Sequence, residues 1–229
     1  MALDYPYFLV NVKTYPGTAG EEGLAFARTV ERVAAETDAR FVVAPQTPDL
    51  RLIAAETSLP VVAQGVDADE PGRRTGGVLP ETVAAAGADG VLVNHPERPA
   101  ELAAIETTVD RCRELGLESI VCANGVEQAR AVLSFEPDCL LFEKPEDVAT
   151  GRAISRTHPE RVEAVVDLVA AERPETKVFL GGGISGAADV AAAFDLGADA
   201  AGAASAAVQA DDREAWLRAV AGAMPERGE

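Results

Sequence analysis

A chain of 229 residues, 48% of them hydrophobic, is long enough and apolar enough for one large α/β domain with a sizeable core. Its formal net charge of −18 disfavours nucleic-acid binding, because phosphate backbones recruit lysine and arginine. No run reaches the roughly 18 apolar residues of a membrane helix, and the first residues lack the basic and apolar segments of a secretory signal, so we expect a cytoplasmic protein that contacts no membrane.

The basic residues are almost all arginine. Of the 20 lysines and arginines, only Lys13, Lys144 and Lys177 are lysine. Acid-rich, lysine-poor surfaces resemble those of proteins from salt-loving archaea, where concentrated salt screens the self-repulsion of the surface. An ordinary acidic protein is the alternative interpretation.

The three cysteines, Cys112, Cys122 and Cys139, lack the close spacing of a metal or redox motif, and their odd number argues against a disulfide framework. Cys122 and Cys139 lie in apolar segments, so we expect both in the core. The chain has only two histidines, which makes a histidine-rich metal site improbable.

Short apolar runs alternate along the chain with segments whose apolar residues recur at helical spacing. The predicted strands cover residues 7–12, 40–44, 60–64, 90–93, 118–122, 139–142, 178–181 and 199–203. The predicted helices cover residues 20–37, 48–56, 82–86, 99–115, 126–134, 160–171, 187–196 and 212–224, with a short extra helix starting near 204–206 and a long polar loop at 67–77. Eight strand–helix units without a linker predict one parallel sheet, closed into a (β/α)8 barrel over residues 1–229 as a single domain. A doubly wound open sheet is the alternative.

The segment from Thr157 to Glu160 has the spacing of a capping box, which marks the start of a helix. We therefore expect His158 to be a surface residue at a helix start and to have no catalytic role.

Three titratable residues follow the ends of separate predicted strands: Lys13 after the first, His95 after the fourth and Glu143 after the sixth. In a barrel these strand ends converge on one face. A carboxylate can remove a carbon-bound proton, an imidazole can polarise the adjacent oxygen, and an ammonium can stabilise the enediolate charge. Singly, each residue is more simply a solvated rim or loop residue; together they predict proton transfer next to a carbonyl.

Small residues follow the last two predicted strands, at Gly181–Gly183 and Ala203–Ser205. Small residues let backbone N–H groups approach an anion, and barrels frequently hold phosphate in the loops after strands 7 and 8. These segments therefore predict a phosphate site; tight packing alone is the alternative.

Five motifs resemble the triosephosphate isomerase family, in the family's order and over essentially the whole chain. They lie at residues 11–15 (NVKTY), 43–46 (VAPQ), 94–97 (NHPE), 143–151 (EKPEDVATG) and 181–184 (GGGI). The short chain and the form of the first motif resemble the archaeal branch. The resemblance implies a TIM barrel that interconverts dihydroxyacetone phosphate and glyceraldehyde 3-phosphate, in glycolysis and gluconeogenesis, without metal or organic cofactor.

The resemblance also implies roles for individual residues. Glu143 matches the catalytic base and His95 the electrophile. Glu97 matches a carboxylate that supports these residues without contacting the substrate. Asn11 and Lys13 match substrate-binding residues at the first strand end. The matches to phosphate contacts are Val148 and Gly151 in a lid and Gly183, Ala204 and Ser205 opposite it.

Three departures from the family pattern stand in this sequence. Pro96 replaces the usual serine, so one side-chain contact to the base is expected to be missing. The lid sequence differs from the usual archaeal form, so its hinge is expected to be looser. Ala206 stands where a glycine is usual. No charged catalytic group is lost.

Two other functions compete with the isomerase. Another phosphate-binding barrel enzyme would keep the glycines after strands 7 and 8 without needing Lys13, His95 and Glu143 together. A non-catalytic barrel used as a binding module would have no reason to hold all three. The family resemblance also implies a homo-oligomer, with a tetramer favoured and a dimer possible.

Overall fold

The structure is a computed structural model, and it describes residues 3–143 and 153–226. Its strands are β1 (Tyr7–Asn11), β2 (Phe41–Ala44), β3 (Val62–Ala63), β4 (Gly90–Val93), β5 (Glu118–Ala123), β6 (Cys139–Phe142), β7 (Lys177–Leu180) and β8 (Ala200–Ala203). All pair in parallel in one sheet, in the order β2-β1-β8-β7-β6-β5-β4-β3.

The two ends of that order meet, so the sheet is a nearly closed barrel. Val43 of β2 forms a parallel bridge with Val61, and its N–H donates to Pro60 O at 3.1 Å. The predicted (β/α)8 barrel is therefore confirmed, and the open doubly wound sheet is wrong. Strand β3 is shorter than predicted, because Val61 joins the ring only through this bridge.

Helices follow the strands and surround the barrel. They are α1 (Gly20–Thr37), α2 (Leu50–Glu56), α3 (Pro80–Ala85), α4 (Leu102–Leu115), α5 (Val126–Leu133), α6 (Ile154–Thr157), α7 (Pro159–Glu172), α8 (Ala187–Asp195), α9 (Ser205–Val208) and α10 (Arg213–Ala221), with a 3-10 turn at Thr47–Asp49 before α2. No helix among the described residues is long and apolar enough to cross a membrane.

Two of the differences from the predicted helix starts have a clear local cause. The capping box at Thr157 is wrong, because Thr157 ends the unpredicted helix α6 and its hydroxyl donates to Ala153 O at 3.1 Å. His158 does precede α7, as expected, but its side chain makes no capping hydrogen bond. Helix α4 begins three residues later than predicted, because Asn94 Oδ1 accepts the N–H of Ala100 and Glu101 is extended.

Successive residues of the strands point alternately into two separate cores, as the period of two in a strand requires. Tyr7 and Leu9 face the barrel interior, while Phe8 and Val10 pack outward among the helices. The interior core also contains Cys122 and Cys139, which confirms the prediction for both. Burial on both faces explains why the strands read as continuous apolar runs.

Candidate active site

A cavity of about 580 Å³ opens at the carboxyl ends of the strands. The structure brings most of the predicted site residues to its wall. They are Asn11, Lys13, His95, Glu143, Gly183, Ala204 and Ser205. Val148 and Gly151 lie outside the described residues, so their predicted phosphate contacts stay predictions. Glu97 does not line this cavity, and it contacts the site through its ion pair with Lys13.

Lys13 is held in an unusual backbone conformation. Its φ of 45° lies in the left-handed region, which costs a non-glycine residue free energy. Two side chains hold this backbone: Asn11 Oδ1 accepts the Lys13 N–H at 2.8 Å, and Gln64 Nε2 donates to Lys13 O at 3.0 Å. The Lys13 ammonium then lies 2.9 Å from Glu97 Oε1. The cation is thereby fixed at the end of β1, beside the cavity.

His95 is positioned by its neighbour Asn94, which also has a left-handed φ of 59°. Asn94 Nδ2 donates to Cys122 O at 2.9 Å, which ties the end of β4 to β5. The N–H of Glu97 donates to His95 Nδ1 at 3.1 Å, so Nδ1 is an acceptor and the neutral imidazole carries its proton on Nε2. Burial, reinforced by the Lys13 charge and opposed by Glu97, lowers the pKa of His95 to about 4. His95 is therefore neutral at physiological pH and presents an N–H donor.

Glu143 follows β6 directly, and the residue is only 5% exposed. Burial raises its pKa to about 7, although the Lys13 charge lowers it and Glu97 adds to the increase. His95 Nε2 lies 3.1 Å from Glu143 Oε1. The pair is nevertheless not aligned as a hydrogen bond, and Oε1 has no hydrogen-bond partner among the described residues. Glu143 is thus a buried carboxyl with an oxygen free to accept a proton near neutral pH.

The wall beside Glu143 is made of backbone. A Cβ at Gly181 would come within 2.9 Å of Glu143 Oε2, so a larger residue there would displace the carboxyl. Gly182 and Gly183 both have a φ of 73°, which glycine adopts without strain. Within the described ranges, their N–H groups donate to no acceptor. Free N–H groups at a cavity wall suit an anion, as predicted for phosphate.

Two supporting residues were missed by the sequence analysis, Gln64 and Asn94. Gln64 holds both Lys13 O and, at 3.1 Å, Ala44 O. The available signal was a polar side chain at the end of a predicted strand, as for Lys13 and Glu143. Among the described residues, no group of three or more histidines, cysteines or carboxylates could hold a metal ion.

Comparison with known proteins agrees with this geometry. The family model described as "Triosephosphate isomerase" matches residues 6–220. The triosephosphate isomerase of Methanocaldococcus jannaschii is 40% identical over 92% of this chain and 96% of its own length. That of Methanopyrus kandleri is 42% identical over 96% of this chain and 99% of its own length.

The fold is shared by a crystal structure of triosephosphate isomerase from Bartonella henselae. That structure matches with a TM-score of 0.76 at 14% identity, over 95% of this chain and 98% of the other. The structural match shows the fold, and the family model and the methanogen relatives select the isomerase over the other phosphate-binding barrel enzymes and the binding module. The chain belongs to the triosephosphate isomerase family and is an isomerase.

Proposed function

We propose that Glu143, His95 and Lys13 carry out the isomerisation of dihydroxyacetone phosphate and D-glyceraldehyde 3-phosphate by proton transfer. Glu143 removes a proton from the carbon next to the carbonyl, and His95 Nε2–H donates a hydrogen bond to the carbonyl oxygen. The Lys13 ammonium stabilises the negative charge of the enediolate. A proton then passes from the neighbouring hydroxyl to the former carbonyl oxygen by way of His95 Nε2, and Glu143 returns its proton to the neighbouring carbon. A glutamate base paired with a neutral histidine is the known arrangement of this enzyme class.

The observation that carries the proposal is the state of Glu143. Its Oε1 is buried, has no hydrogen-bond partner within the described residues and lies 3.1 Å from His95 Nε2. A carboxyl with a pKa of about 7 is matched to proton transfer at neutral pH. A carboxylate placed only for structural support would have its oxygens satisfied.

A coupled assay in both directions tests the activity, and the same reaction in deuterium oxide tests the mechanism. We expect solvent deuterium at the carbon that receives the proton, because a carboxyl exchanges its proton with water. The isomerase activity without any deuterium in the product would contradict an enediolate formed by Glu143. Glu118→Gln is the control variant, since Glu118 is equally buried but lies at the other end of the barrel.

The substrate phosphate is proposed to bind at the backbone of Gly183, Ala204 and Ser205. Two observations support this: all three residues line the cavity, and the N–H groups of Gly182 and Gly183 donate to no acceptor within the described residues. The family resemblance adds Val148 and Gly151 as contacts from a lid, Asn11 and Lys13 as substrate-binding residues, and Glu97 as a carboxylate that supports the site.

A homo-oligomer is proposed from the resemblance, with a tetramer favoured over a dimer. Sedimentation equilibrium measures the assembly mass; a monomer at all protein concentrations would contradict the proposal.

We also propose that residues 1–229 form a single domain.

The composition supports a cytoplasmic enzyme adapted to high salt. The net charge is −18 with three lysines, and self-repulsion of this kind is screened over about 3 Å at 1 M salt but only over about 10 Å at 0.1 M. The Tm should therefore be higher in 2 M than in 0.1 M potassium chloride. An equal or lower Tm in 2 M salt would show an ordinary acidic protein.

A further inference from the structure

The turn that follows β7 is supported by a buried carboxylate outside the cavity. Asp189 lies in the first turn of α8 and is 3% exposed. Its Oδ2 accepts two hydrogen bonds from Ser185, from the N–H at 2.8 Å and from the hydroxyl at 2.6 Å. Ser185 is two residues past Gly183, so the carboxylate fixes the end of the glycine turn.

The same serine is held through its carbonyl by another element. Trp216 of α10 lines the cavity, and its Nε1–H donates to Ser185 O at 3.0 Å. The indole ring also packs edge-on against Phe8 of β1, with ring centroids 6.0 Å apart. Both peptide groups of Ser185 are therefore tied to rigid elements.

Asp189 also connects this turn to α6. Arg156 lies 3.3 Å from Asp189 Oδ1, and the hydroxyl of Ser155 donates to Asp189 O at 3.4 Å. Burial raises the pKa of Asp189, but the bonds from Ser185 and the pairing with Arg156 leave it below its usual value. The group is thus a carboxylate at neutral pH, at a helix N-terminus that favours negative charge.

We propose that Asp189 is a positioning residue for the phosphate site. Through Ser185, and with Trp216 holding the same residue, it keeps the N–H groups of Gly182 and Gly183 in place beside the cavity. The inference rests on the proposed function, because it takes the phosphate of a triose phosphate as the anion bound there. Asp189 touches no substrate and acts only through the turn.

The chain contains a matched control for the alternative that Asp189 serves stability alone. Asp138 Oδ2 accepts the N–H and the hydroxyl of Ser119, at 2.8 Å and 2.7 Å, in the same pattern. Ser119 lies near the start of β5, at the amino end of the barrel. Replacing Asp138 by alanine removes the same pair of contacts far from the cavity, although Asp138 is more exposed than Asp189.

The test measures binding of inorganic phosphate by calorimetry, and KM and kcat by the coupled assay, for the parent, Asp189→Ala, Asp189→Asn and Asp138→Ala. We expect Asp189→Ala to weaken phosphate binding and raise KM about tenfold, with a smaller fall in kcat, since a network of this kind is worth about one factor of ten. The phosphate affinity and KM of Asp189→Asn should lie between those of the parent and of Asp189→Ala, because the amide oxygen can still accept hydrogen bonds from Ser185. Asp138→Ala should lower the Tm and leave both constants within about twofold of the parent.

Parent-like phosphate binding in Asp189→Ala overturns the inference, whatever its Tm. If that variant does not fold, parent-like binding and KM in Asp189→Asn overturn it instead. Failure of the parent to bind phosphate also overturns it. Because calorimetry needs no turnover, a parent that binds phosphate but does not isomerise triose phosphates refutes the proposed function separately from the positioning role.

Discussion

Two buried glutamates stand at opposite ends of the barrel, and they differ in their partners. Glu143 follows β6 at the cavity, and Glu118 begins β5 at the amino end. Each is 5% exposed, and burial raises the pKa of both. Both oxygens of Glu118 accept hydrogen bonds, from the Leu3 N–H at 2.7 Å and from the Tyr5 hydroxyl. Glu143 Oε1 has no such bond within the described residues.

The comparison shows that burial alone does not make a base. A carboxyl whose oxygens accept hydrogen bonds from fixed donors stabilises the structure, and those bonds favour its ionised form and so make it a weaker base. A carboxyl of the same burial with an open oxygen beside a neutral histidine and a fixed ammonium can accept one. The following variants test whether this difference in partners has the consequences we assign to it.

The largest expected effect is that of Glu143→Gln on turnover. The amide keeps the shape of the side chain but cannot accept the proton, and general-base contributions are typically about 10²–10⁴-fold. We expect kcat to fall by that factor in a folded enzyme, as judged by circular dichroism and the coupled assay. Glu118→Gln should stay within about threefold of the parent. Near-parent kcat in Glu143→Gln would remove Glu143 as the base.

Lys13→Ala should have the second largest effect on turnover. Loss of one preorganised charge at a developing oxyanion typically costs about 10²–10³-fold in rate, and the variant should also bind substrate more weakly. Lys177→Ala is the control, because Lys177 begins β7 at the opposite end and pairs with Asp199 at 3.5 Å. If both lysine variants keep kcat/KM and differ only in Tm, Lys13 is a structural rim residue.

Glu118→Ala should act on stability. It leaves the Leu3 N–H and the Tyr5 hydroxyl without their acceptor, and each unsatisfied buried donor costs about 1–3 kcal/mol. We expect the free energy of unfolding to fall by roughly 2–6 kcal/mol in urea titrations, with little change in kcat. A large loss of kcat in a fully folded variant would contradict the assignment of catalysis to Glu143 and of a purely structural role to Glu118.

A smaller effect concerns the pH dependence of stability. The pKa of Glu143 is about 7 in the native state against 4.5 as its ordinary value, so the native state retains its proton longer than the unfolded chain. Native stability is therefore lost as pH rises from about 4.5 to about 7, by at most about 3 kcal/mol. Glu143→Gln cannot ionise and should be more stable than the parent at pH 8 but not at pH 4. Equal differences at both values would contradict the raised pKa.

Much of this arrangement could be predicted from the sequence, because the strand ends in a barrel converge by geometry. Lys13, His95 and Glu143 each follow an apolar run, and that position was enough to group them. The partners of Glu118 could not be predicted. Leu3 and Tyr5 precede it by 115 and 113 residues in the sequence, and they contact it only in the folded barrel. The left-handed φ of Lys13 was also missed, because it is imposed by Asn11 and Gln64 and contradicts the local preference of lysine.

The most direct measurement is a titration of the carboxyl carbons in the free enzyme by carbon-13 NMR. The enzyme is labelled at the glutamate side-chain carboxyls, and the Glu143 signal is the one missing from Glu143→Gln. Because no substrate is present, the phosphate of the substrate does not interfere. We expect a midpoint for Glu143 at about pH 7, because burial raises the pKa of this carboxyl and the Lys13 charge only partly opposes that increase. A midpoint near 4.5, the ordinary value for glutamate, would contradict the claim that an open, buried carboxyl is kept ready to accept the substrate proton.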